Sequence, residues 1–161
     1  MESERPCIYV NLEPYLAQWF INDFGGVTPI VLKKLSTERR ILEVYLQKWP
    51  AAVPRDISTE GKVSIVIPDS RIKLPAKYNY LPNTAMNELK KCIRNRFVIQ
   101  LWNDLHAFGY IGKTRSDLIY AWMDSHGIEQ NETNWNSIAK IYLRQHKNYL
   151  ERELKKKKRK G

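Results

Sequence analysis

Three basic residues near the C-terminus, Lys140, Arg144 and Lys147, recur at four- and three-residue steps, the spacing that places side chains on one face of an α-helix. A fixed row of cations suits phosphate neutralisation, because each Lys or Arg that meets a phosphate releases a counterion. Two further sets have the same character. Lys90, Lys91 and Arg94 form a band on another helical stretch, and Lys155, Lys156, Lys157, Lys158, Arg159 and Lys160 make a continuous basic run. Tyr78 and Tyr80 stand near Arg71, Lys73 and Lys77, an interleaving of rings and cations that would serve single-stranded nucleic acid by stacking. An arm packed on the fold by these tyrosines and Leu74 explains the same residues more simply.

A basic helix face is by itself only a solvated surface. What raises the binding reading is where the charge lies. The chain of 161 residues carries a net charge of +10. Residues 1–68 hold eight Lys/Arg and eight Asp/Glu and sum to zero, whereas residues 69–161 hold 19 basic against nine acidic residues. A neutral half joined to a strongly basic half is an electrostatic footprint for a polyanion.

Residue types for catalysis are present without the spacing catalysis needs. His106, His126 and His146 fall on separate predicted elements, and Cys7 and Cys92 are too far apart in sequence to read as a metal framework. Cys92 reads as a buried, reduced, small apolar residue. His126, next to Gly127, fits a helix C-terminus, and His146, between Arg144 and Lys147, reads as part of the basic face. Asp104, Asp117 and Asp124 are more simply helix-surface and cap residues than a nuclease cluster. LRQHKNY at 143–149 has the residue types of a tyrosine recombinase centre but no supporting Arg and His set. No Gly-rich phosphate loop, CxxC pair, HExxH or nucleophile elbow occurs. The expectation is a protein that is not an enzyme and uses no cofactor and no metal.

The elements that must position the basic residues follow from periodicity. Asn83 opens a long helix to about Phe108, ending at Gly109, with Met86, Leu89, Ile93, Phe97, Leu101, Leu105 and Phe108 at three- and four-residue steps. Trp102 on it reads as a packing anchor. A connector, Tyr110-Ile111-Gly112, leads to Thr114, which caps a short helix carrying Leu118, Ile119, Trp122 and Met123, with Asp117 completing a variant capping box. Gly127 stops that helix. A cap-rich break over 128–134 precedes a last helix from near Trp135, whose apolar stripe is Trp135, Ile138, Ile141, Tyr142 and Tyr149. Trp135 is expected to be buried against Leu118 and Trp122. Two helices, a short break and a basic outer face resemble a helix-turn-helix in outline, over residues 114–150 at most.

Upstream, CIYVN at 7–11, residues 28–32 and KVSIVI at 62–67 read as short strands, the second demoted to an edge by Pro29. Pro14 opens a helix with Tyr15, Leu16, Trp19 and Phe20, halted by Gly25-Gly26. Ser36 caps another, running to about Trp49, with Ile41, Leu42, Tyr45 and Leu46 inward and Glu38, Arg39, Arg40 and Glu43 outward. The fold class expected is α+β, predominantly helical: a small sheet packed on the long 83–108 helix, with the C-terminal pair. A single compact domain should cover 1–154, with a neutral half at 1–68, a basic helical half at 69–154 and a disordered basic tail at 155–161.

The opening MESERPC is polar and acidic rather than a secretion signal, and no apolar run approaches the roughly 20 residues of a membrane helix. The expected location is cytoplasmic, with nucleoid association. The function expected is non-enzymatic binding of double-stranded DNA, as a regulator or accessory factor of a bacterial or phage-like system. An RNA or single-stranded binder using Tyr78 and Tyr80 is the first alternative. A structural or adaptor protein, its aromatic residues binding a protein partner and its charge steering association, is the second. The partner expected is therefore nucleic acid, with a homodimer left open and no membrane.

Overall fold

A computed structural model describes residues 5–55, 58–108 and 114–161. Among these the order is β1 (Cys7–Val10), α1 (Pro14–Asp23), α2 (Thr37–Tyr45), β2 (Val63–Val66), α3 (Asn83–Phe108), α4 (Arg115–Ser125) and α5 (Glu132–Lys160). The architecture is mostly helical with a two-stranded antiparallel sheet, an α+β arrangement. Two compact units divide it, Met1–Asn95 and Arg96–Gly161, and the division falls inside α3 rather than at the charge boundary after residue 68.

In the first unit, β1 pairs with β2 in the register Ile8 opposite Ile65, and both side chains are buried. The third strand expected at 28–32 is reduced to one parallel bridge, Ile30 to Ile65. Ile30 donates to Ser64 O (2.8 Å) and accepts from Val66 N (2.8 Å). Ile30 turns both its backbone groups to β2, so Pro29 faces away from it, and the missing N–H there suits a segment at the sheet edge. Helix α1 starts with Pro14 in its first turn and buries Tyr15, Leu16, Trp19 and Phe20, as its spacing predicts.

Helix α2 is capped by Ser36, whose hydroxyl accepts from Arg39 N at 3.2 Å, but it ends at Tyr45, four residues short of Trp49. The reason lies downstream. Lys73 Nζ donates to the carbonyls of Glu43 (3.1 Å), Val44 (3.1 Å) and Leu46 (3.0 Å), holding the helix terminus from outside. Gln47 then leaves the helix to pair with Tyr80. Of the face expected inward, Leu42 and Leu46 are buried, Ile41 is half-buried and Tyr45 is exposed, while Glu38, expected outside, is only 1% exposed.

Helix α3 spans the residues its periodicity predicts and buries Leu89, Ile93, Phe97, Leu101 and Leu105, with Met86 half-buried. Cys92 is half-buried rather than buried, because it lies beside the apolar stripe and not on it. The expected stop at Gly109 and the connector Tyr110-Ile111-Gly112 lie outside the described residues, as does the side chain of Phe108. No helix among the described residues is long and apolar enough to cross a membrane.

Candidate nucleic-acid interface

Helices α4 and α5 are set by local chemistry at both ends of their junction. Thr114 Oγ1 accepts from Asp117 N (3.3 Å), the predicted N-cap, and donates to the Asp117 carboxylate (2.7 Å), which answers the hydroxyl. Gly127 adopts φ +70°, and Ile128 N returns to Met123 O at 2.9 Å, which closes α4 in the left-handed turn that favours glycine. Asn131 Oδ1 caps α5 by accepting from Asn134 N at 2.8 Å. Asn134 is buried and donates its amide to Glu129 O (3.0 Å), while Gln130 ties the junction to Tyr120 O (2.9 Å). The six residues between the helices are therefore pinned to α4 and to one another.

Because the cap is Asn131, α5 begins at Glu132, three residues before the predicted start. Trp135 consequently sits in the first turn, half-buried and stacked on Tyr120 (6.0 Å between centroids) rather than buried against Leu118 and Trp122. Residues two apart on a helix do not share a face. Tyr120 and Trp122 thus point different ways, and Trp122 packs instead against Phe97 of α3, at 5.4 Å. Farther along α5, Ile138, Ala139 and Tyr142 are buried, and Ile141 and Tyr149 are half-buried.

Lys140, Arg144 and Lys147 are all exposed. At about 100° per residue they lie within about 60° of one another, on the side of α5 opposite Ile138 and Tyr142. None of the three forms an ion pair among the described residues. Lys155 and Lys158 extend the same line, which Glu151 interrupts. In all, α5 carries ten Lys/Arg against three Glu.

The tail expected to be disordered from Lys155 is helical through Lys160. Lys and Arg are good helix formers, and positive charge is favoured at a helix C-terminus, which offsets part of the mutual repulsion. Glu153 contributes by accepting from Lys156 at 3.3 Å.

The other predicted site residues lie elsewhere. Lys91 is exposed and Lys90 half-buried, but Arg94 is held by Glu13 at 3.1 Å, so the band on α3 is weaker than its composition suggests. Tyr78 and Tyr80 are both half-buried. Lys48 lies 5.7 Å from the Tyr78 ring, and Tyr80 meets Trp49 edge to face at 5.0 Å. The 68–82 segment is thus held by Lys73 and Tyr80, with Leu74 left half-exposed.

His146 does not join the basic face. Its ring lies against Tyr142 (6.1 Å) and Trp102 (6.2 Å), since residue 146 follows Tyr142 by one turn. Trp102 is the predicted anchor: it stacks on His106 at 4.6 Å and lies 5.5 Å from Tyr149. The Arg115 guanidinium sits 5.4 Å from the Tyr142 ring centroid, a cation–π contact the sequence does not signal.

His126 is at the C-terminus of α4, as expected, stacked on Trp122 at 4.1 Å. Asp104 accepts from Trp122 Nε1 at 2.9 Å and lies 3.7 Å from His126 Nε2, so its carboxylate is used in packing. No group of three His, Cys, Asp or Glu suited to a metal occurs among the described residues. Comparison with known protein families, curated protein sequences and solved structures finds no match to this chain.

Proposed function

We propose that this chain is a non-enzymatic nucleic-acid-binding protein whose α5 helix lies along the phosphates of double-stranded DNA, with α4 and the pinned junction as its support. The observation that carries the reading is the row of Lys140, Arg144 and Lys147, exposed and without ion pairs among the described residues. From Lys140 to Lys158 the row would run about 27 Å at 1.5 Å per residue. That length passes several phosphates, because duplex DNA carries a charge about every 1.7 Å of its axis. The residues 155–160 add charge on the same rigid element. In this reading the protein serves as a regulator or accessory factor, with α4 and α5 acting as a helix-turn-helix-like pair.

Mobility shifts on duplex DNA, single-stranded DNA and RNA test this reading. The variant carrying Lys140→Gln, Arg144→Gln and Lys147→Gln, shown by circular dichroism to be folded, should bind duplex at least tenfold more weakly than wild type. Equal binding by that folded variant overturns the proposal. Tighter wild-type binding to single strands or RNA than to duplex replaces DNA with those partners.

A further inference from the structure

The exposed face of α5 changes character before Lys140. Residues 130–139 hold a single ionic side chain, Glu132. Thr133 and Asn136 take the outward positions there, and both are exposed. At about 100° per residue, Thr133 lies about 20° from Lys140 on one side and Asn136 about 40° on the other. Two neutral polar side chains thus continue the basic row toward the start of the helix.

The other amides of this stretch are committed to the fold. Gln130 donates to Tyr120 O (2.9 Å), Asn131 caps the helix, and Asn134 donates to Glu129 O (3.0 Å). The Ser137 hydroxyl donates to Thr133 O at 3.0 Å. The side chains of Asn136 and Thr133 make no hydrogen bond among the described residues. Asparagine is a poorer helix former than alanine or lysine, so nothing within α5 favours it at an exposed position.

The Glu132 carboxylate repels phosphate, which makes the first turns of α5 unsuited to the DNA backbone. Uncharged hydrogen-bonding side chains suit base edges instead. A helix fits the major groove, where an asparagine amide matches adenine: Oδ1 accepts from N6 and Nδ2 donates to N7. Asn136 precedes Lys140 by about 6 Å of helix rise, so a base contact and the first phosphate contact lie one turn apart.

We propose that Asn136 reads an adenine in the major groove of duplex DNA while Lys140, Arg144 and Lys147 hold the phosphates. The proposal rests on the placement of DNA on α5 and adds a base preference to it. Phosphate contacts carry no sequence information, so the preference has to come from such a side chain.

Selection by the full chain from duplexes with a randomised core, followed by mobility shifts, tests it. The selected duplex should carry an adenine at a fixed position. Replacing that adenine by 7-deazaadenine, which lacks the N7 acceptor, should weaken binding about tenfold. Asn136→Ala, shown by circular dichroism to be folded, should bind the selected duplex about tenfold more weakly than wild type and should not distinguish the two bases. Duplex binding with no preferred base, or with a preference that ignores 7-deazaadenine, overturns this inference and leaves the basic row standing. A 7-deazaadenine penalty undiminished in folded Asn136→Ala also overturns it. Absence of duplex binding by the wild-type chain overturns both readings.

Discussion

Trp19 and Trp135 are the same side chain in different surroundings. Trp19 is 1% exposed on the inner face of α1, whereas Trp135 is half-buried and stacked on Tyr120. Trp19→Ala should therefore cost about 3–5 kcal/mol, the usual loss for a core aromatic, and Trp135→Ala about 1–2 kcal/mol. Urea denaturation of the two variants checks the order, and a larger loss at Trp135 contradicts the burial described here. Tyr15 provides a pH test. Burial pushes its phenol above the usual 10.0, the Glu13 carboxylate adds to the rise, and the Arg94 guanidinium opposes it. The folded-state value is thus higher than the unfolded one, so this stabilisation is complete below about pH 10 and is lost as pH rises through the folded value. Stability should fall more steeply above pH 10 in the wild type than in Tyr15→Phe. Parallel curves would contradict the assignment. At this scale the sequence was most legible where chemistry is local: Ser36, Thr114 with Asp117, and Gly127 each act within a few residues. Glu38 and His146 were misplaced because their surroundings come from tertiary packing. A charged residue beside an apolar stripe reads as solvent-facing until the neighbouring element is known.

Among the elements, the long apolar period of α3 was enough to give its limits, and the shorter ones depended on distant partners. Helix α2 stops at Tyr45 because Lys73, 27 to 30 residues away, occupies its last carbonyls. Nothing near residue 45 announces that contact. Lys73→Met, which retains the apolar stem, should cost about 1–2 kcal/mol through the freed carbonyls, measured by denaturant unfolding. No loss would show that water replaces the ammonium at no penalty. Helix α5 makes a prediction in the opposite direction. Glu151 stands one turn from both Lys147 and Lys155 on the basic line. Glu151→Gln should strengthen duplex binding several-fold at low salt and much less at high salt, because the lost repulsion is screened. Unchanged low-salt affinity in a mobility-shift titration would mean that DNA does not follow this line.

Over the whole molecule, sequence order and charge are separated in a way that composition alone reveals. The net +10 arises entirely after residue 68, and α5 alone contributes ten Lys/Arg against three Glu. The compact units were not legible from that asymmetry, since their division lies within α3, where the hydrophobic period is unbroken. Residues 155–160 lie on the same helix as Arg144, so the two sets should differ by the number of charges: removing residues 155–161 should flatten the salt dependence of duplex binding more than Arg144→Ala, which removes one charge. The measurement that tests the central claim most directly is the salt dependence of duplex binding, wild type against the folded Lys140→Gln, Arg144→Gln, Lys147→Gln variant. Each phosphate neutralised contributes about −0.9 to the log–log slope, so the variant's slope should be shallower by about 2.7. A slope that is the same in both proteins would contradict the placement of DNA on α5.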